Sequence, residues 1–164
     1  MRHLENKVIS TKQQKLKLKL ELKAACINIL QQRIANARQA MQQAQESANS
    51  EDKSSAGDKH ETARAMSQLD RDMHARQEAE AKQELQLINK LTIDTLHEIV
   101  KAGTIVICKE YSFFISLGLG ALQIEQQKII SLSPLAPIAK ILDKKKAGDN
   151  FVFNGKTVEI LDVF

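Results

Sequence analysis

The sequence predicts an α+β protein: an antiparallel helical hairpin followed by an antiparallel sheet with one short helix. Three observations predict it. A stripe of apolar and small residues repeats in heptads through the first third of the chain. A second periodic segment of similar length follows a polar break. The aromatic residues Tyr111, Phe113, Phe114, Phe151, Phe153 and Phe164 all lie late, as do Pro134 and Pro137. A first half rich in Ala, Gln, Lys and Glu and without aromatics suits long helices. A second half with Gly, Pro and Phe suits a compact β-containing unit. The expected organisation is a hairpin over residues 1–92, a linker over 93–103 and a sheet domain over 104–164.

The first arm is set by Ile27, Leu30, Ile34, Ala37, Met41, Ala44 and Ala48, spaced alternately three and four apart. That spacing points one stripe of a helix at a partner helix. Upstream, Leu16, Leu18, Leu20 and Leu22 alternate with mostly basic residues. Alternation suggests a strand, but Lys, Leu, Glu and Ala are good helix formers and no turn signal intervenes. Helix is the preferred reading, with a strand or frayed start near Leu16 left open. Ser47–Gly57 is turn chemistry. The second arm is read on Met66, Leu69 and Met73, then on Ala81, Leu85 and Ile88. Each arm spans ~45 Å at ~1.5 Å per residue, so the polar turn lies at the far end of a paired rod.

Thr92–Gly103 ends the second arm. Strands are expected at Thr104–Lys109, Phe113–Leu117, Leu122–Glu125 and Lys128–Leu132. Pro134–Leu142 reads as a helix, with Ser133 as N-cap and Pro134 at its first position. Phe151–Phe153 and Thr157–Val163 flank Asn154–Gly155, a strong hairpin signal.

The 164 residues carry a net charge of +4, with a pI of about 9.1. That balance suits nucleic-acid contact without requiring it. Cys26 and Cys108 lack metal-ligand or redox spacing and read as buried free thiols. No apolar run approaches the ~20 residues a bilayer span needs, and no secretory signal opens the chain. A cytoplasmic location and no membrane partner are expected.

Three stretches carry a family resemblance. Gly57–Asp58–Lys59–His60–Glu61–Thr62 resembles the hairpin tip of Gre-type transcript cleavage factors, whose signature is Gly-Asp-Leu-Ser-Glu-Asn. Ser133–Pro134–Leu135, followed by Ile138, Ile141 and Leu142, resembles that family's Ser-Pro-Leu and short helix. Lys145–Lys146–Ala147–Gly148–Asp149 resembles its Gly-Lys-Lys-Val-Gly-Asp. The resemblance covers roughly residues 20–164. It departs at Lys59, His60, Thr62, Ala63, Arg64 and Leu132. It implies an FKBP-like C-terminal domain and a partner, bacterial RNA polymerase, entered through its secondary channel.

The resemblance further implies that the acidic tip near 51–61 reaches the nascent RNA 3′ end. There Asp58 and Glu61 would act as catalytic tip carboxylates, sharing Mg²⁺ with the polymerase without holding a cofactor stably. Mg²⁺ is commonly held by one or two carboxylates plus phosphate oxygens and waters, and two metals clamp both oxygens of a phosphodiester displacement. The chain would then be no enzyme itself, but an accessory to the polymerase's own cleavage of backtracked RNA. Asp58–x–x–Glu61 is also the spacing of a capping box, and Ser55–x–x–Asp58 offers a second cap. Both roles stay open. Ser133, Pro134 and Leu135 are the expected polymerase dock. Arg64 and Arg71, with Arg33 and Arg38, are candidates for RNA phosphate contact or for a solvated helix flank.

His60–Glu61–Thr62–Ala63–Arg64 fails as a zinc motif, because Arg64 stands where the second His is needed. Asp70 and His74 share a helix face and read as surface chemistry. With no Trp and a single Tyr, the FKBP-like domain is expected to dock without prolyl isomerase activity. A monomer is expected, since the two seams satisfy each other. Two alternatives remain: a channel-binding regulator that does not stimulate cleavage, and a coiled-coil adaptor or chaperone with no polymerase link.

Overall fold

Thr11 opens the first helix by a reciprocal cap. The Gln14 amide donates to Thr11 Oγ1 at 3.2 Å, and the Thr11 amide donates to Gln14 Oε1 at 3.3 Å, which satisfies two donors a helix start otherwise leaves open. The structure is a computed structural model that describes residues 11–51 and 57–164, and of Glu51 and Asp58 the backbone alone. Ser55, read above as part of a second cap, lies outside the described residues. Helix α1 spans Lys12–Glu51 and α2 spans Gly57–Lys90. The strands are β1 (Ile105–Cys108), β2 (Ser112–Ile115), β3 (Gly120–Ile124), β4 (Gln127–Leu132), β5 (Asn150–Phe153) and β6 (Lys156–Val163). Helix α3 spans Pro137–Leu142. The α+β class is as expected: two long packed helices, then a six-stranded sheet and one short helix. The contacts divide the chain into two compact units, residues 1–26 with 88–164, and residues 27–87.

In the first unit the strand order is β3-β4-β2-β1-β6-β5. Every neighbouring pair is antiparallel except β2·β4, which is parallel. The wholly antiparallel expectation fails there because the chain leaves β2, runs out to the edge as β3, and returns as β4 between them. On one face Val106, Cys108, Phe113, Ile115, Phe151, Ile160 and Val163 form a core with Ala139 and Leu142 of α3. Alternation sends Phe114, Ser131 and Asp162 to the other face. There the start of α1 packs: Lys15 Nζ lies 2.6 Å from Asp162 Oδ2 and 4.8 Å from the Phe164 ring centroid. Leu18, Leu22 and Cys26, four apart, are buried. Leu20 is exposed, so the leucine alternation is a helical stripe and the strand alternative is excluded.

Lysines of α1 also hold the end of α2. Lys23 Nζ donates to Asn89 O at 3.1 Å and Leu91 O at 2.9 Å, supplying donors to carbonyls a helix end leaves open. Lys19 is wholly buried, and its Nζ donates to Thr95 O at 2.8 Å. At Gly103 the chain enters β1 with φ +89°, where an added Cβ would lie 2.6 Å from Thr92 O.

Two local readings are corrected. Helix α3 starts at Pro137, not Pro134, with Ala136 as N-cap and no side-chain cap bond. A residue before proline is pushed out of the α region, and Ala136 sits at φ −62°, ψ 143°. Residues 133–136 form a turn instead. Ser47–Ser50, counted both in the first arm and in the turn chemistry, are helical, since α1 runs on to Glu51. Their polar side chains bond locally: Ser50 Oγ donates to Ser47 O at 2.8 Å, and Gln45 Nε2 to Asn49 Oδ1 at 3.1 Å. At the β5–β6 turn the reading holds, with Asn154 at φ 50° and Gly155 at φ 75°, the paired left-handed residues of a type I′ turn.

Burial lowers the Lys19 pKa from 10.5 to about 8; Asp94 opposes the shift and Lys101 adds to it. Between those values the unfolded chain binds the proton and the folded chain does not. Stability from this group therefore rises as pH climbs from 8 towards 10.5 and is lost as pH falls through 8. Burial raises Cys108 from 9.0 to about 11, which subtracts stability above pH 9. Between about pH 7 and about pH 9 the urea midpoint of the wild type should rise relative to that of Lys19→Met; parallel curves would contradict the assignment. Gly103→Ala should cost roughly 1–3 kcal/mol in the same assay, from positive φ and contact with Thr92 O together.

Candidate functional site

Helix α2 begins at Gly57, with φ +40°. Asp58 is thus inside the first turn and not the residue before it, so the N-cap reading of Asp58 gives way. A glycine can take this left-handed entry without Cβ strain. Glu61 is exposed on the same turn, as is Lys59, while His60 is half-buried. The positive end of a helix dipole favours carboxylates here. Among the described residues no three His, Cys, Asp or Glu side chains gather in a way that could hold a metal. Arg64 and Arg71 are both exposed, seven apart along one face of α2.

Inside the second unit the two helices run antiparallel. Arg33 Nη1 reaches Glu84 Oε2 at 3.7 Å and Arg38 Nε reaches Glu78 Oε1 at 2.7 Å, so positions advance on one helix as they retreat on the other. Glu78 also takes Lys82 Nζ at 2.6 Å. Hydrogen bonds from Lys82 and Arg38 hold its carboxyl below the usual carboxylate range. Arg33 and Arg38 are therefore engaged in tying the hairpin.

The seam of α1 is as expected: Leu30, Ile34, Ala37 and Ala44 are buried. That of α2 is not. Met66, Leu69 and Met73 are 62%, 64% and 46% exposed. Extending the heptad outward from Ile88 and Ala81 gives His74, Ser67 and His60, and these half-buried residues face inward. The sequence reading followed the largest apolar side chains. The helices approach instead through small and polar ones, and alanines on α1 leave room for His74. His74 is held by Gln77 Oε1 at 2.9 Å and faces Asp70 Oδ1 at 3.6 Å, which is hairpin chemistry.

The Ser133–Ala136 turn stands at the end of β4. The Ala136 amide donates to Ser133 O at 2.9 Å, and the Leu135 amide donates to Ser133 Oγ at 3.2 Å. This sets Pro134 outward and leaves Leu135 78% exposed. Beside it lies a cleft of about 260 Å³ floored by Val100, Ile115 and Ala139, with Lys101, Lys140 and Asp143 at its rim. Sequence reading missed these lysines as a group. Lys101 and Lys140 are distant in the chain and line one cleft only in the folded unit.

The aromatic residues of this unit pack on one another. Tyr111 and Phe153 meet edge to face at 4.9 Å, Phe113 and Phe153 at 5.7 Å, and Phe113 and Phe151 at 6.3 Å. Cys26 and Cys108 are buried free thiols, as expected. Among the described residues no helix is long and apolar enough to cross a membrane.

A double-mutant cycle on Arg38→Ala and Glu78→Ala should give a favourable coupling that shrinks in about 0.5 M salt. Thermal midpoints of the four proteins check it, and additive losses would show that the pair does not hold the hairpin.

No protein-family model matches this chain, and no curated protein matches it either.

Proposed function

We propose that this chain is a Gre-type transcription elongation factor. It binds bacterial RNA polymerase at the secondary channel and stimulates the polymerase to cut backtracked RNA. The observation that carries the reading is the antiparallel α1–α2 hairpin with Asp58 and Glu61 in the first turn of α2. Carboxylates at the turn of a narrow two-helix element can be delivered into a channel too tight for a globular domain. The α3-bearing sheet, read as FKBP-like, serves as the dock through Ser133, Pro134 and Leu135. The chain acts in the cytoplasm as a monomer, with the polymerase and, transiently, the RNA 3′ end as partners.

At the tip Asp58 and Glu61 would hold Mg²⁺ jointly with the polymerase, and the ion when bound supplies Lewis acidity at the phosphodiester. Glu61 has the open exposure this requires. Arg64 and Arg71 lie further along the same helix, where they can meet RNA phosphate. A second reading is favoured by one observation: Lys59 is exposed between the two acidic positions. An ammonium there offsets part of the charge that would attract the cation. On that reading the chain occupies the channel as a regulator and does not stimulate cleavage.

Replacing Asp58 by Asn and Glu61 by Gln together should reduce stimulated cleavage by at least about a hundredfold, while polymerase affinity and thermal midpoint barely move. Cleavage of a stalled, backtracked complex and a binding titration check both halves. Full cleavage by the double variant would remove these residues from the chemistry. Tight binding by the wild type with no cleavage at any Mg²⁺ concentration would establish the regulator reading. Lys59→Leu should raise cleavage by several-fold, and a fall would show that the lysine assists.

A further inference from the structure

We infer that the uncovered face of β5 and β6 is the docking surface for residues 1–10 of this chain, with Leu4 and Val8 set against Leu161 and Val152. Polymerase plays no part in this contact. Phe151, Ile160 and Val163 face the α3 core, and Val158 packs against it. Val152 pairs with Thr157 and so points to the opposite face. Between Cys108 and Ile107 the pairing on β6 jumps from Ile160 to Asp162. This bulge puts Leu161 on that opposite face too, beside Asp162, which takes Lys15. Val152 is 61% and Leu161 53% exposed there, and Thr157 and Glu159 are exposed with them.

Helix α1 covers the neighbouring part of this face and starts at its uncovered end. Lys15 lies on Asp162 of β6, and Cys26 Sγ is 4.0 Å from Ser131 Oγ of β4. The strands between them run β4-β2-β1-β6, with β5 beyond. The helix rises about 16 Å from Lys15 to Cys26, close to the ~14 Å of three strand spacings, so it crosses the strands almost squarely. Its first turn therefore points towards the β5 side. Residues 1–10 precede that turn and lie outside the described residues. At ~3.3 Å per residue they can reach about 33 Å, and Leu161 to Thr157 is about 13 Å. Leu4 and Val8 are four apart, which places them on one side in either a strand or a helix. Ile9 adds a third apolar side chain. A second copy could also pair with the open edge at β5. Residues 1–10 are tethered beside that edge, and tethering over a short span gives an effective concentration on the order of millimolar, so they take the face first.

The test uses the full chain with one cysteine in the segment, Leu4→Cys or Val8→Cys, and one on the face, Val152→Cys or Leu161→Cys. Cys26 and Cys108 are buried and stay out of the exchange. Under oxidised glutathione, at least one of the four pairings should close an intrachain disulfide roughly tenfold faster than Val8→Cys paired with Gln123→Cys. Gln123 is exposed on β3, at the opposite edge of the sheet. All four closing at the control rate would overturn the docking. Disulfide-linked dimers in place of the intrachain bond would give the face to a second copy and overturn it too. A second measurement combines Leu4→Ser and Val8→Ser with Val152→Ser and Leu161→Ser in a thermal double-mutant cycle. The combined loss in midpoint should fall short of the sum of the two separate losses, and additive losses would contradict the contact.

Discussion

Lys19 has no exposed surface, yet it ends in an ammonium group bonded to the Thr95 carbonyl. Burying a cation in this way is costly unless polar partners receive it. Thr95 O accepts it, and Asp94 lies near enough to oppose the fall in its pKa. Four residues on, Lys23 holds the Asn89 and Leu91 carbonyls. Together the two lysines fix where the chain leaves α2 and how it crosses towards β1. Gly103 then completes the crossing at a place where no side chain fits. Strand β1 follows, paired antiparallel with β2 and with β6.

The same stretch of α1 explains why β2 is buried along its whole length. Leu18, Leu22 and Cys26 cover one face of the sheet while α3 covers the other. Between the first of these layers and the strands lies a small polar network. Ser131 Oγ donates to Leu117 O at 2.6 Å and sits 3.0 Å from Ser116 Oγ and 4.0 Å from Cys26 Sγ. Burial pushes the Cys26 thiol up, with the serine hydrogen bonds opposing. A buried hydroxyl must be satisfied, and here the serines satisfy one another through a backbone carbonyl.

The hairpin unit is stabilised differently. Past Ile34 the buried residues of α1 are alanines, and the inward residues of α2 towards its start are Ala63, Ser67 and His74. Small side chains remove little apolar surface from water, so Arg38–Glu78–Lys82 and Arg33–Glu84 add direction more than strength. A narrow element results, with its larger apolar residues Met66, Leu69 and Met73 on the outside.

Much of this was legible in the sequence because it is local or periodic. The heptad of Leu30, Ile34, Ala37 and Ala44 announced α1, Asn154–Gly155 announced the last hairpin, and the clustering of aromatics announced where a sheet core would form. Ser133 and Pro134 read as a helix start and prove to be a turn, because Ala136 before Pro137 stays extended. The spacing of Asp58 and Glu61 suggested a capping box, and only the family resemblance marked them as tip carboxylates. What failed was whatever depends on a partner distant in the chain. Lysine looks like a surface residue until Thr95 comes to meet it, and Met66 looks like core until the helices close on Ala63 and Ser67 instead. A parallel β2·β4 pair and a cleft lined by both Lys101 and Lys140 are likewise set by tertiary structure alone. Periodicity reports which face of an element is apolar, but only the packed chain decides which face is covered and which charges are left without a partner.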